Sequence, residues 1–163
     1  PEMSLSENAL LSCYQQQGMV SSGMISLGKA VSFARDIIRT YSVRARGDMA
    51  EARSLSGGNL QKFIMGREIM QDPKLLIVAA PTWGVDAGAA TAIRQAMIDL
   101  RGRGAAILVI SQDLDELFEI TDRIAVIHHG RLSDARPTAE TTIEEIGLLM
   151  GGADTTTEAA DVA

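Results

Sequence analysis

Residues 55–86 read LSGGNLQKFIMGREIMQDPKLLIVAAPTWGVD, and the order of features along this stretch decides the fold. Leu55-Ser56-Gly57-Gly58-Asn59 stands immediately before a segment with helical spacing, expected over residues 58–70 and stopped by Asp72-Pro73. The aliphatic run at 74–79 has the length of a strand, and Pro81 to Gly88 reads as a loop. Ser56 and the two glycines would place a hydroxyl and backbone N–H groups at the positive end of the helix, an arrangement that faces phosphate. Taken alone, the same three residues also read as a serine N-cap followed by a flexible glycine pair.

Working outward, the C-terminal side continues the alternation. A helix is expected over 89–101, a strand over 105–110, a short acidic helix over 114–120, strands at 123–128 and near 131–134, and a helix over 139–150. Strand, helix and strand with a crossover of this length imply a parallel pair. On the N-terminal side the texture differs. Two helical patterns, at 4–17 and 29–43, flank a Ser-, Gly- and Met-rich break at 18–28, and neither has strand character. The organisation read from this is a small helical subdomain over 1–54, an α/β core over 55–150 and a disordered tail over 151–163.

The 163 residues are 46% hydrophobic and 22% charged, the composition of an ordinary globular domain. A net charge of -6 provides no basic field for a phosphate backbone, which argues against nucleic acid as a partner. The longest apolar runs, 75–80 and 105–110, are far too short to span a bilayer, so a cytoplasmic location is expected. The single cysteine, Cys13, reads as a small buried hydrophobe.

Leu55-Ser56-Gly57-Gly58-Asn59, then Gln61-Lys62, Arg67, Pro73 before the 75–78 strand, Pro81-Thr82 and Gly84-Val85-Asp86 together resemble the nucleotide-binding subunits of ABC transporters. The likeness covers about residues 50–135. The opening residues 1–8 and the variant Pro81-Thr82-Trp83-Gly84-Val85-Asp86 are similar to the sugar and nucleoside importer branch, in which two cassettes are fused. The resemblance therefore implies an α/β, partial P-loop NTPase fold with a parallel sheet, preceded by the helical subdomain, as the C-terminal part of a second cassette. The start at Pro1 without an initiator methionine fits an excised piece.

In that family ATP lies between the P-loop of one cassette and the signature motif of another. Carried over, Ser56, Gly57, Gly58, Asn59 and Gln61 would bind the nucleotide of a partner cassette, Lys62 would extend the signature helix, and Asp86 would be the D-loop acid at the seam. As a residue of a turn, Asp86 also reads as the cap of the helix from Ala89. The implied partners are an upstream fused or second cassette, a transmembrane permease and a solute-binding protein, with the assembly at the inner face of the cell membrane. ATP and Mg²⁺ would be cofactors of the full assembly only.

Departures from the family pattern bear equally on function. No G-x-x-x-x-G-K-[ST] occurs, so the chain alone is not expected to bind ATP tightly or to be an ATPase. Ala79 and Ala80 stand where the family places a Mg²⁺-holding Asp and a water-polarising Glu, and Gln112 stands at the switch histidine. A methyl group neither coordinates a hard cation nor accepts a proton, and a glutamine does not titrate. The chain's own hydrolytic site is thus expected to be inert. The competing readings are a non-transport ABC protein, expected to carry basic arms or long coiled-coil insertions, and a structural or regulatory cassette with a vestigial signature.

His128-His129 invites a metal reading, but neighbours on a strand point to opposite faces and no spaced ligand supports them. Asp113, Asp115, Glu116 and Glu119 read as the solvated face of a short helix. Trp83 reads equally as a contact for a partner and as packing on its own sheet, while Met65, Met70 and Met97 fall at core positions.

Overall fold

The computed structural model describes residues 2–15, 17–21 and 23–152. They divide into two compact units, one ending at Ile110 and one beginning at Ser111. The expected tail over 151–163 lies outside the described residues except for Gly151 and Gly152, which form a turn.

The first unit begins with α1, Leu5–Cys13, started by a reciprocal capping box. Glu7 N–H donates to Ser4 Oγ at 3.2 Å and Ser4 N–H donates to Glu7 Oε2 at 2.7 Å. The helix ends four residues before the sequence pattern suggested, because the chain turns through Gly18 at φ 56°. The break that follows contains strands that the sequence pattern does not indicate. β1, Val20–Ser21, and β2, Met24–Ile25, form a small antiparallel hairpin closed by Gly23 at φ 76°. Two-residue strands carry no periodicity, so the pattern gave no sign of them.

α2, Leu27–Thr40, buries Ala30, Phe33, Ala34 and Ile37, the i, i+3, i+4, i+7 stripe of an amphipathic helix. The helical spacing over 29–43 would put Val31, Ala34, Ile38 and Tyr41 along one side; of these only Ala34 belongs to the buried stripe. α3, Gly57–Ile69, crosses it at Gly66, where a Cβ would lie 2.5 Å from the Tyr41 ring and 2.9 Å from Ile37 Cγ2. Only a residue without a side chain lets the two helices approach this closely. Leu5, Ala9, Cys13, Met19, Phe33, Ile37 and Phe63 share one core, so the packing runs straight across the expected boundary between residues 54 and 55. Burial pushes the Cys13 thiol up to about 11, in keeping with a structural rather than a reactive cysteine.

After Asp72-Pro73, β3 (Leu75–Ala79) pairs in parallel with β4 (Ala106–Ile110), and α4 (Ala87–Gly102) provides the crossover. The register runs from Leu75 opposite Ala106 to Ala79 opposite Ile110. α4 buries Ala89, Ile93, Met97 and Leu100, and β3 buries Leu76 and Val78. The other face of the pair is bare: Leu75, Ile77, Leu108 and Ile110 are all more than half exposed.

The second unit holds α5 (Leu114–Ile120), β5 (Arg123–Ile124), β6 (Ile127–His128), β7 (Arg131–Leu132), β8 (Arg136–Pro137) and α6 (Ile143–Met150). The two longer strands expected here are instead a broken hairpin, β5 with β8 and β6 with β7. In the gap Val126 N–H donates to Ser133 Oγ at 2.9 Å, so a side chain replaces one rung of the ladder. α6 begins at Ile143 rather than near 139, since Thr142 and Glu145 build a capping box there.

Candidate functional site

Ser56 occupies the N-cap position of α3 with extended backbone (φ -64°, ψ 156°), yet its side chain does not cap the helix. The hydroxyl is engaged elsewhere: Asn59 Nδ2 donates to Ser56 Oγ at 2.9 Å, and Asn59 Oδ1 accepts from the Arg44 N–H at 2.8 Å. The first-turn N–H groups of α3 are therefore left without the side-chain acceptor that such helices usually supply. A Cβ at Gly57 would meet nothing within 4 Å, whereas one at Gly58 would lie 2.7 Å from the Gly84 carbonyl oxygen. The two glycines have different physical reasons: Gly57 keeps a space open, and Gly58 lets the helix touch the loop after β3.

That contact continues along one face of α3. Gln61, three residues on, donates from Nε2 to the Pro81 carbonyl at 3.0 Å and to the Ala80 carbonyl at 3.4 Å. Lys62 then reaches Asp86 Oδ2 at 3.0 Å with its side chain almost wholly buried. Asp86 uses its other oxygen, Oδ1, to accept from the Ala89 N–H at 3.0 Å and so caps α4. The Lys62 ammonium first, and the Ala89 N–H second, hold the Asp86 carboxyl below the usual carboxylate range. Gly58, Gln61 and Lys62 fall at i, i+3 and i+4, a spacing legible in sequence as one helix face. What it faces was not legible, because the partner loop is twenty residues away.

At the end of β3, Ala79 is exposed and Ala80 adopts φ 45°, an unusual conformation for a residue with a Cβ. Ala80 N–H donates to the Ile110 carbonyl at 2.8 Å, and its own carbonyl accepts from Trp83 N–H at 3.1 Å. These residues offer Mg²⁺ no carboxylate, so the metal that the resemblance implies does not fit this strand end. Among the described residues no group of three His, Cys, Asp or Glu side chains is placed to hold a metal ion. By contrast, the uncapped α3 N-terminus with its open space at Gly57 suits an anion. Trp83 projects from the 81–85 loop 81% exposed, so of its two readings the one against its own sheet does not hold.

In the second unit Gln112 is exposed, between Ser111 and the α5 cap Asp113. Glu116 departs from the expected solvated face. It is 3% exposed and accepts from Ser111 Oγ at 3.2 Å, because the seven-residue helix turns this one carboxylate inward. His128 and His129 do not simply point apart: His129 has φ 44° and the rings meet edge to face, 4.3 Å between centroids.

No protein-family profile matches the chain. It is 44% identical over 151 residues to the nucleoside import ATP-binding protein NupA of Lactococcus lactis, covering 93% of this chain and 30% of that protein. It is 43% identical over 148 residues to the guanosine import ATP-binding protein NupO of Bacillus subtilis, covering 91% and 29% respectively. With a ribose import ATP-binding protein of Rubrobacter xylanophilus the identity is 35% over 157 residues, covering 94% and 31%. The chain thus spans about 30% of the length of these curated relatives. In three dimensions it resembles the ATP-binding subunit of an ABC transporter, with a TM-score of 0.71 at 20% identity over 92% of this chain and 63% of that one. It also resembles a dimeric ATP-binding cassette in a post-hydrolysis state with ADP and Pi, at a TM-score of 0.69 and 19% identity over 85% and 58%. No helix among the described residues is long and apolar enough to cross a membrane. A cassette fold of this kind, joined to sequence kinship over 93% of its length, places the chain in the ABC ATP-binding cassette family, among relatives named for nucleoside and sugar import.

Proposed function

We propose that this chain is part of the ATPase component of an importer for nucleosides or simple sugars, and that it closes its signature helix over ATP held by another cassette. The observation that carries the reading is the N-terminus of α3, where Ser56 leaves the first turn uncapped and Gly57 leaves the approach open. The terminal phosphoryl group of the partner's nucleotide would take the place of the missing cap. Ser56 and the Gly57 and Gly58 N–H groups would bind it. Asn59 and Gln61, expected from the resemblance to bind nucleotide as well, have side chains engaged within the chain and would support the site from behind.

The chain's own hydrolytic positions, Ala79, Ala80 and Gln112, supply neither a metal ligand nor a general base, so one of two composite sites would turn over and the other would not. Asp86 would lie at the seam between cassettes. ATP and Mg²⁺ would act in the full assembly, together with a fused or second cassette, a transmembrane permease and a solute-binding protein, at the inner face of the membrane. The nucleoside branch is favoured over the ribose branch by the higher identity to relatives named for it, 44% and 43% against 35%.

Ser56→Arg in the complete assembly tests the reading. A long cation in the open space is expected to abolish transport-coupled ATP hydrolysis while leaving assembly with the permease intact. An unchanged ATPase rate would mean that the α3 N-terminus does not meet nucleotide.

A further inference from the structure

The hydrogen bonds around Asn59 have a fixed polarity. A backbone N–H only donates, so the Asn59 atom 2.8 Å from the Arg44 nitrogen must be the carbonyl oxygen Oδ1. The amide nitrogen Nδ2 is thereby turned toward Ser56 Oγ, 2.9 Å away, and it too only donates. Ser56 Oγ is an acceptor in that bond. Its own O–H proton takes no part in that bond. A hydroxyl that accepts from the Asn59 amide keeps its O–H available to donate in another direction.

We propose that Asn59 is a positioning residue that locks the Ser56 hydroxyl as a hydrogen-bond donor toward an ionised phosphoryl oxygen, and does not touch the nucleotide itself. The proposal rests on the functional reading above, since the phosphoryl group is that of ATP held by a partner cassette. An ionised phosphate oxygen is an acceptor only, so a hydroxyl that gives a lone pair to the Asn59 amide and keeps its O–H to donate matches it. The Arg44 backbone is the third member of this relay: it orients the amide that orients the hydroxyl. Both bonds lie at the surface of the first unit, clear of its hydrophobic core, so they can be removed without opening a cavity.

A double-mutant cycle on the complete, permease-bound ATPase tests it. Ser56→Ala is expected to lower kcat by about a hundredfold, the effect of losing one preorganised donor to a developing charge. Asn59→Ala should lower kcat by about tenfold, the scale of one hydrogen bond's net effect, with the KM for ATP nearly unchanged. In the Ser56→Ala background the same Asn59→Ala change should cost less than about twofold, because its effect runs through the hydroxyl. Asn59→Leu, which keeps the side-chain bulk and removes both bonds, should repeat the pattern and guards against a misfolded alanine variant. Equal losses in both backgrounds would mean that Asn59 touches nucleotide directly, and no loss from Asn59→Ala in the protein that keeps Ser56 would mean that the relay does nothing; either overturns the proposal. An unchanged kcat for Ser56→Ala would instead bring down the functional reading from which the proposal starts.

Discussion

Two helices of the first unit begin within reach of the same loop, and they treat their N-termini in opposite ways. α4 is closed: Asp86 accepts from the Ala89 N–H, and the buried Lys62 ammonium holds the other carboxylate oxygen. α3 is open: its N-cap serine is turned toward Asn59, and a glycine keeps the space in front of it clear. Each helix end carries the same partial positive charge, roughly half an elementary charge. In α4 the protein neutralises that charge with its own carboxylate. In α3 the N-cap side chain makes no such bond, and under the proposed function a partner's phosphate would meet that charge. An uncapped serine is not by itself a mark of function, since Ser26 at the start of α2 makes no side-chain cap either; what sets Ser56 apart is the Asn59 amide that holds its hydroxyl.

The comparison is most sharply tested at the two adjacent glycines. Gly58→Ala would set a Cβ 2.7 Å from the Gly84 carbonyl, a backbone atom that cannot rotate away, and should destabilise the chain by about 2–3 kcal/mol in urea unfolding. Gly57→Ala meets open space and should be neutral or slightly stabilising in the same measurement. If both cost the same, the division of labour between the glycines is wrong.

At the closed end, Asp86→Ala removes a cap and strands the Lys62 ammonium, so it should lower the melting temperature more than Asp86→Asn, which keeps an acceptor for Ala89. The pH dependence has a definite sign. The Asp86 carboxyl is held below the usual carboxylate range by Lys62 and then by the Ala89 N–H, so its contribution is fully present above its unfolded-state value. It is lost as pH falls through the lower folded value. The gap in melting temperature between wild type and Asp86→Asn should therefore be constant near neutrality and close in strong acid. A gap that persists there would assign the stabilisation to something other than the charge.

The smallest effect is expected at the open end. Because Ser56 does not cap α3, Ser56→Ala should change unfolding stability by less than about 0.5 kcal/mol, as for an ordinary surface position. Thr142→Ala, which removes the capping box of α6, should cost about 1 kcal/mol. A Ser56 variant as damaging as the Thr142 variant would show that the serine serves its own helix after all.

Much of this was legible in the residues. Asp72-Pro73 marked the end of α3, the aliphatic runs marked β3 and β4, and the crossover length implied their parallel pairing. The open helix end was visible as a motif, though not as an uncapped one, since whether a serine caps its helix depends on where a side chain three residues on is pointing. Gln61 is expected from the resemblance to reach a partner's nucleotide, and Lys62 to prolong the helix. Their inward roles exist because Gly58 admits the Gly84 loop, a tertiary approach that leaves no local trace. Glu116 was misjudged for a related reason: a helix of seven residues has no fully solvated side once its capping aspartate and Ser111 fold around it. The β1–β2 hairpin and the broken β5–β8 ladder lay below the length at which alternation can be read.

Trp83 is the sole tryptophan of the chain, and it stands almost fully solvated on the loop that Gln61 and Lys62 fasten to α3. The protein consequently carries a built-in optical probe at the place where its two helix ends diverge. The isolated chain should emit as a water-exposed indole, readily quenched by iodide. Any surface that settles over the open end of α3 and covers the loop beside it would announce itself as a shift of that emission to shorter wavelength and a loss of quenching, with no label attached.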